Sequence, residues 1–213
     1  MKLCIPVISF FLLGLSFLAF PAEPDVEAMQ RLRSGEILLL DARSDQSGGS
    51  ARVQAIIDAP VESIWDVIVS CELSFVFVDG LEKCELIESS GDRALVHQVV
   101  DKGWLVPTQD FIFESLREPH QSIRFQLVEG NIKAMQGQWE FKQLQQGILV
   151  DYRIRVQPKF PVPGFIVSYV MRKGMPDLIA CIRGLAGGSG SAYNEKSDLG
   201  RCRGRETKSL SFP

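Results

Sequence analysis

Histidine is scarce, with only 2 in 213 residues. That side chain serves most general acid–base catalysis and much metal binding, so its scarcity narrows both. The chain has no G-x-S-x-G nucleophile elbow, no H-E-x-x-H pair, no P-loop and no G-x-G-x-x-G after a strand. The C-x-x-C or Cys/His spacing of a zinc site is missing too, so the expectation is no metal and no cofactor. Positive charge is not in excess. Lys and Arg number 23 against 26 Asp and Glu, for a net charge of -3. Phosphate binding is driven by Lys and Arg, so a nucleic-acid partner is not expected. After residue 20 no apolar run is long enough to span a bilayer, which takes about 20 residues. No internal repeat is evident.

The amino terminus carries a shorter apolar run. Lys2 precedes a nearly continuous apolar stretch over residues 5–20, and Pro21-Ala22 leads into polar Glu23. This is the pattern of a secretory signal peptide over residues 1–22. Phe20 is bulky for a small-residue cleavage site, so an uncleaved membrane anchor is the alternative. Either way the chain is expected to be exported, periplasmic or extracellular. Cys4 lies before the apolar run, so it is not a lipobox cysteine. Loss of the segment leaves Cys71, Cys84, Cys181 and Cys202. Four cysteines allow three pairings, and an oxidising compartment lets a disulfide persist. Cys181, inside a helical pattern, also reads as a small buried apolar residue.

Periodicity then gives the elements. Residues 25–32 have helical spacing, with Val26, Met29 and Leu32 on one side. Residues 36–42 (EILLLDA) read as a strand, residues 44–50 (SDQSGGS) as a turn and residues 52–58 (RVQAIID) as a strand. Pro60 suits a helix start, and Val61, Ile64, Trp65 and Ile68 make its apolar face. A short helical or irregular stretch (71–80) comes next. Six strands then alternate with short turns, near 81–88, 93–100, 109–116, 123–127, 135–141 and 150–156. Period-2 alternation with short turns predicts consecutive antiparallel strands with one face buried. PKFPVPG (158–164) ends the sheet. A long helix is expected over 165–185, with a kink or break near Met175 because Pro176 lies inside it. Residues 188–213 are polar, aperiodic and expected to be a disordered tail. That leaves 23–187 as one domain. A strongly curved sheet needs its concave face covered, and the final helix alone is long enough to do it. One helix over a wide curved sheet leaves space between them, the setting in which small apolar ligands bind.

Several stretches resemble a known family. ARVQAIIDAPVESIWDVI (51–68) is similar to the opening of START-like polyketide-cyclase and coenzyme Q-binding domains, in which a strand ends in Ala-Pro and a helix with a Trp follows. FVFVDGLEKCELIE (75–88) resembles their next loop and strand, GQWEF (137–141) their G-x-W-x-F strand and PDLIACIRGL (176–185) their closing helix. The resemblance spans roughly residues 50–186 and rests on the order of the pieces. It implies an α+β helix-grip fold, a curved antiparallel sheet around a long C-terminal helix. It also implies an apolar cavity for lipids, polyketides, sterols or isoprenoid quinones. The same order places the ends of the Cys71–Cys84 loop near each other, so a disulfide is expected there.

The expected wall comprises Trp65, His97, Phe111, Phe113, Phe125, Met135, Trp139, Phe141 and Tyr152. Met171, Met175 and Leu178 on the last helix would face them; methionine adapts to varied apolar ligands. By alternation Asp110 and Glu114 point away from Phe111 and Phe113. His97 reads as structural and His120 as a solvated turn residue, so no catalytic residue is assigned. The entrance is placed at Phe160, Phe165, Ile166 and Tyr169. They exceed the single apolar stripe a packed helix needs, and Lys159, Arg172 and Lys173 flank them as they would an anionic membrane surface. The alternative is that these residues pack under helix 25–32. The expected function is binding and carriage of a hydrophobic small molecule, with transient membrane-surface contact. The alternatives are a cyclase- or hydrolase-like enzyme on a hydrophobic substrate, or a ligand-free interaction module.

Overall fold

The computed structural model describes residues 26–45, 48–103, 106–160, 162–187 and 202. The expected signal or anchor segment lies outside these residues, as does the expected tail except for Cys202.

The chain runs α1 (Val26–Arg33), β1 (Leu38–Asp45), β2 (Gly48–Ile57), α2 (Val61–Val69), α3 (Cys71–Phe77), β3 (Leu81–Ser90), β4 (Arg93–Val100), β5 (Gln109–Glu118), β6 (Ser122–Gly130), β7 (Ile132–Leu144), β8 (Gly147–Pro158), α4 (Gly164–Tyr169), a π-helical turn (Val170–Gly174) and α5 (Met175–Leu185). The strands form one sheet in the order β1-β2-β8-β7-β6-β5-β4-β3. Every pairing is antiparallel. β3 to β8 form a meander joined by short turns, and the β1–β2 hairpin closes onto β8. Bulges interrupt the register between Leu39 and Asp41, Leu86 and Glu88, and Ile112 and Phe113. Each adds local twist and helps bend the sheet around the C-terminal helix.

The main core lies between the sheet and α2 and α5. Val53, Ile57 and Val150 from the strands meet Ile64 and Val67 of α2 and Ile179 and Ile182 of α5. α1 packs on the opposite face, where Leu32 joins Leu38, Ile56 and Leu149. One local expectation fails. Residues 44–50 are mostly strand rather than turn, because β1 extends to Asp45 and β2 starts at Gly48. Those glycines are needed for closeness: a Cβ on Gly49 would lie 2.6 Å from Val167 Cγ1 and 3.0 Å from Met171 Cε. The long helix is interrupted beside Pro176, as expected: α4 and the π segment precede α5, which starts at Met175 with Pro176 in its first turn. Proline cannot donate to the carbonyl four residues back, and the preceding turn widens into the π segment Val170–Gly174. Such bulges absorb a missing rung without ending the helix.

On the convex face, β2 and β8 bury a polar cluster. Asp151 is 6% exposed and accepts from Arg52 Nη2 at 2.6 Å, Gln54 Nε2 at 2.7 Å and Arg153 Nη2 at 3.2 Å. Burial acts to raise its pKa, but the hydrogen bonds from Arg52, Arg153 and Gln54 and the charge of Arg52 outweigh it and hold the carboxyl below the ordinary range. A folded-state pKa below the unfolded value near ~3.9 contributes stability that is present above that pH and lost as pH falls through the folded value. Asp151→Asn should therefore cost about 1–3 kcal/mol at pH 7, through weakened charged hydrogen bonds. Urea unfolding of both proteins from pH 7 to pH 3 checks this. The gap between them should shrink below about pH 4, and a gap independent of pH would contradict the linkage.

Candidate functional site

The concave face of the sheet and the C-terminal helix enclose a cavity of about 430 Å³, within the 300–1,000 Å³ range of small-molecule sites. Strand alternation builds its wall. β5 turns Gln109, Phe111, Phe113, Ser115 and Arg117 inward, and β4 turns Val96, Gln98 and Val100 inward. Ile123 and Phe125 come from β6, Met135 and Trp139 from β7, and Tyr152, Ile154 and Val156 from β8. Ile68 and Val69 of α2 and Ser74 and Phe77 of α3 close one end. Ile166, Val167, Met171, Met175 and Leu178 form the opposing wall.

The aromatic side chains make a continuous belt. Ring centroids are 6.3 Å apart for Phe111–Phe113, 6.0 Å for Phe113–Phe125 and 6.4 Å for Phe125–Tyr152. Trp139 stacks on Tyr152 at 3.8 Å and 14°. These spacings are those of mutually attractive rings, apart from the closer stacked pair. Gly137 lets the belt cross β7: a Cβ there would lie 2.2 Å from Phe125 Cζ and 2.5 Å from the Arg153 carbonyl oxygen. That is the physical role of the glycine in G-x-W-x-F.

Of the expected wall, Phe111, Phe113, Phe125, Met135, Trp139, Tyr152, Met171, Met175 and Leu178 lie on the cavity. Three residues do not. His97 sits between inward-facing Val96 and Gln98, so alternation sends it to the convex face, where Nε2 lies 2.7 Å from Asp110 Oδ1. Trp65 and Phe141 pack edge-to-face on each other at 6.0 Å, within the solid core away from the cavity. Trp65 also meets His120 at 5.5 Å. Their apolar character matched that of a wall, but they lie where α2 already covers the sheet. Asp110 and Glu114 point away from the cavity, and Glu114 pairs with Arg93.

The entrance residues also divide. Phe165 is 71% and Tyr169 52% exposed. Ile166 and Tyr169 reach the cavity, whereas Phe160 is half-buried and does not line it. The stretch does not pack under α1, which lies on the opposite face of the sheet. Cys71 and Cys84 form a disulfide with Cα atoms 5.3 Å apart, and both line the cavity. Cys181 is buried in α5 as its pattern suggested, but it is also bridged to Cys202. With Cys71–Cys84 formed, this is the one pairing left to the other two cysteines.

The polar groups of the wall were missed. Ser115 and Arg117 have the same parity in β5 as Phe111 and Phe113, and that signal was readable. Arg117 Nε donates to Ser115 Oγ at 3.3 Å. Burial lowers the pKa of Arg117. Tyr152 is buried, and burial pushes its phenol up, so the hydroxyl stays protonated. Among the described residues no three His, Cys, Asp or Glu side chains converge to hold a metal, and no helix is long and apolar enough to cross a membrane.

Comparison with known proteins agrees with this architecture. A STAR-related lipid transfer protein from Xanthomonas axonopodis has a similar fold, with a TM-score of 0.58 at 12% identity over 72% of this chain and 99% of that one. A START superfamily protein from Mycobacterium smegmatis gives 0.51 at 17% identity, over 65% and 94%. The ZhuI aromatase/cyclase from a Streptomyces species gives 0.50 at 17% identity, over 65% and 93%. At these identities the likeness is one of fold. No curated protein matches the sequence. The family model described as polyketide cyclase / dehydrase and lipid transport matches residues 57–183, and the chain belongs to that family.

Proposed function

We propose that this protein binds a hydrophobic small molecule between its sheet and C-terminal helix and carries it outside the cytoplasm. The observation that carries the reading is the cavity itself, about 430 Å³ and lined by the aromatic belt on one side and Met171 and Met175 on the other. A space of this size lined by apolar side chains loses packing contacts when empty, and an apolar guest restores them. Two disulfides support an oxidising compartment. Entry beside α4 is supported by the exposed Phe165 and Tyr169 next to cavity-lining Ile166. Arg172 and Lys173 are exposed alongside, and Lys173 lies over the Tyr169 ring at 5.8 Å. That pairing of apolar and basic groups suits an anionic bilayer surface.

Mass spectrometry of organic extracts from purified protein should recover an apolar or amphiphilic compound. Delipidated protein should rebind it at about micromolar Kd or tighter, of order 8 kcal/mol. Chemical alteration of the compound during incubation would instead favour the cyclase- or hydrolase-like alternative. Phe165→Asp with Ile166→Asp should slow transfer to and from anionic vesicles while leaving the fold intact. Unchanged transfer in that folded double variant would remove the proposed entrance.

A further inference from the structure

Among the described residues, one charged group in the cavity has no opposite charge beside it. Arg117 closes the inward row of β5, after Phe111, Phe113 and Ser115. Its Nε is spent on Ser115 Oγ at 3.3 Å, and its backbone N–H donates to the Asp92 carbonyl. No carboxylate pairs with its guanidinium among the described residues. The nearest acids on its own strand, Glu114 and Glu118, alternate to the other side of the sheet, where they pair with Arg93 and Arg124. Of the acids that line the cavity, Asp79 holds Lys102 at 3.1 Å and Asp177 is engaged elsewhere. Burial alone lowers the pKa of Arg117, with no neighbouring charge contributing. A half-buried guanidinium facing an apolar space is costly unless something pairs with it. Its Nη groups form a planar fork that matches carboxylate or phosphate oxygens. Ser115 is buried beside it, and its hydroxyl accepts from Arg117 while keeping an O–H to donate.

The rest of the cavity supplies the other half of an amphiphile. Arg117 pairs across the sheet with Ile123, which faces Trp139 and then Tyr152. From Tyr152 the wall continues along β8 to Val156, which pairs with Gly49 beside Val167. The four steps from Tyr152 to Val156 span roughly 13 Å at about 3.3 Å per residue, and the inward side chains on this path are aromatic and aliphatic. We propose that the cavity takes a single-chain amphiphile, its anionic head group held by Arg117 and Ser115 and its hydrocarbon tail lying along the aromatic belt toward α4. This rests on the cavity-binding reading and goes beyond it by fixing the ligand's charge and direction.

The test compares hexadecanoate, hexadecyl phosphate and hexadecanol, each below its micelle-forming concentration, by intrinsic tryptophan fluorescence of delipidated protein. At least one anion should bind tenfold or more tighter than the alcohol, and which one does so distinguishes a carboxylate from a phosphate head. Arg117→Met should reduce that preference to within twofold while leaving hexadecanol affinity within twofold, and Arg117→Lys should retain part of it. Equal affinities for all three in the native protein would overturn the head-group assignment and leave the cavity reading standing. An anion preference that survives Arg117→Met in folded protein would also overturn it. Failure of all three to bind would overturn the cavity reading and this inference together. If the variant does not fold, the comparison in the native protein decides alone.

Discussion

Replacing Trp139 with alanine should destabilise the protein by about 3–5 kcal/mol. The ring is 6% exposed, stacks on Tyr152 at 3.8 Å and faces Ile123 and Tyr152 in register across β6 and β8. Two effects compete at this position. Truncation removes buried apolar area and leaves a void, which sets the upper end of the range. One side of the ring borders the cavity, so the void merges with space already present and the added cost is smaller than in a solid core. Ligand separates the two contributions. A guest that fills the enlarged cavity recovers part of the loss, whereas the lost Tyr152 stacking of about 0.5–1.5 kcal/mol is not recovered. Trp139→Phe should cost markedly less than alanine, because a ring remains against Tyr152. Urea unfolding with and without bound ligand checks both parts. A loss below about 1 kcal/mol for the alanine variant would mean that Trp139 is not part of the core described above.

Reduction of the disulfides should cost about 3 kcal/mol for each bridge. Cys71–Cys84 closes 13 residues and Cys181–Cys202 closes 21. In the chain-entropy model the cost varies only with the logarithm of loop length, so the two bridges are expected to contribute almost equally. Their consequences for the site differ. Cys71 opens α3, with Ser70 capping the helix by accepting from the Leu73 N–H at 3.1 Å. The bridge fastens α3 to β3, and α3 supplies Ser74 and Phe77 to the end of the cavity. Cys71→Ser with Cys84→Ser should therefore weaken ligand binding as well as stability. Cys181→Ser with Cys202→Ser should affect stability far more than binding, because Cys181 faces the Val76 carbonyl inside the solid core. Peptide mapping without reduction and denaturation of each double variant measure both effects. Free thiols at Cys71 and Cys84 in unreduced, exported protein would refute the first bridge.

The strands were legible because each carries its own evidence. Phe111 and Phe113, or Tyr152, Ile154 and Val156, show which residues share a face without reference to any other strand. The helix after Ala59-Pro60 was legible for a similar local reason. Parity within β5 also contains Arg117, but an apolar pattern gives no weight to a charged side chain. The same alternation in β4 puts Val96 and Gln98 inward and His97 outward. Trp65 and Phe141 could not have been sorted this way. Both lie on the core side of their elements, and only the position of α2 over that part of the sheet decides that they pack solidly.

By itself, then, the sequence determined the antiparallel strand succession, the closing helix and the family order, since each follows from residues a few positions apart. Only the tertiary structure decided how far the sheet bends and where the helix stands clear of it. Those are set by partners such as Gly49 and Val167, or Arg52 and Asp151, separated by about a hundred residues. A cavity belongs to no single strand. It is the space left where a bulged sheet curves away from a helix held at its ends by α3, β1 and β2, and no local periodicity records that distance.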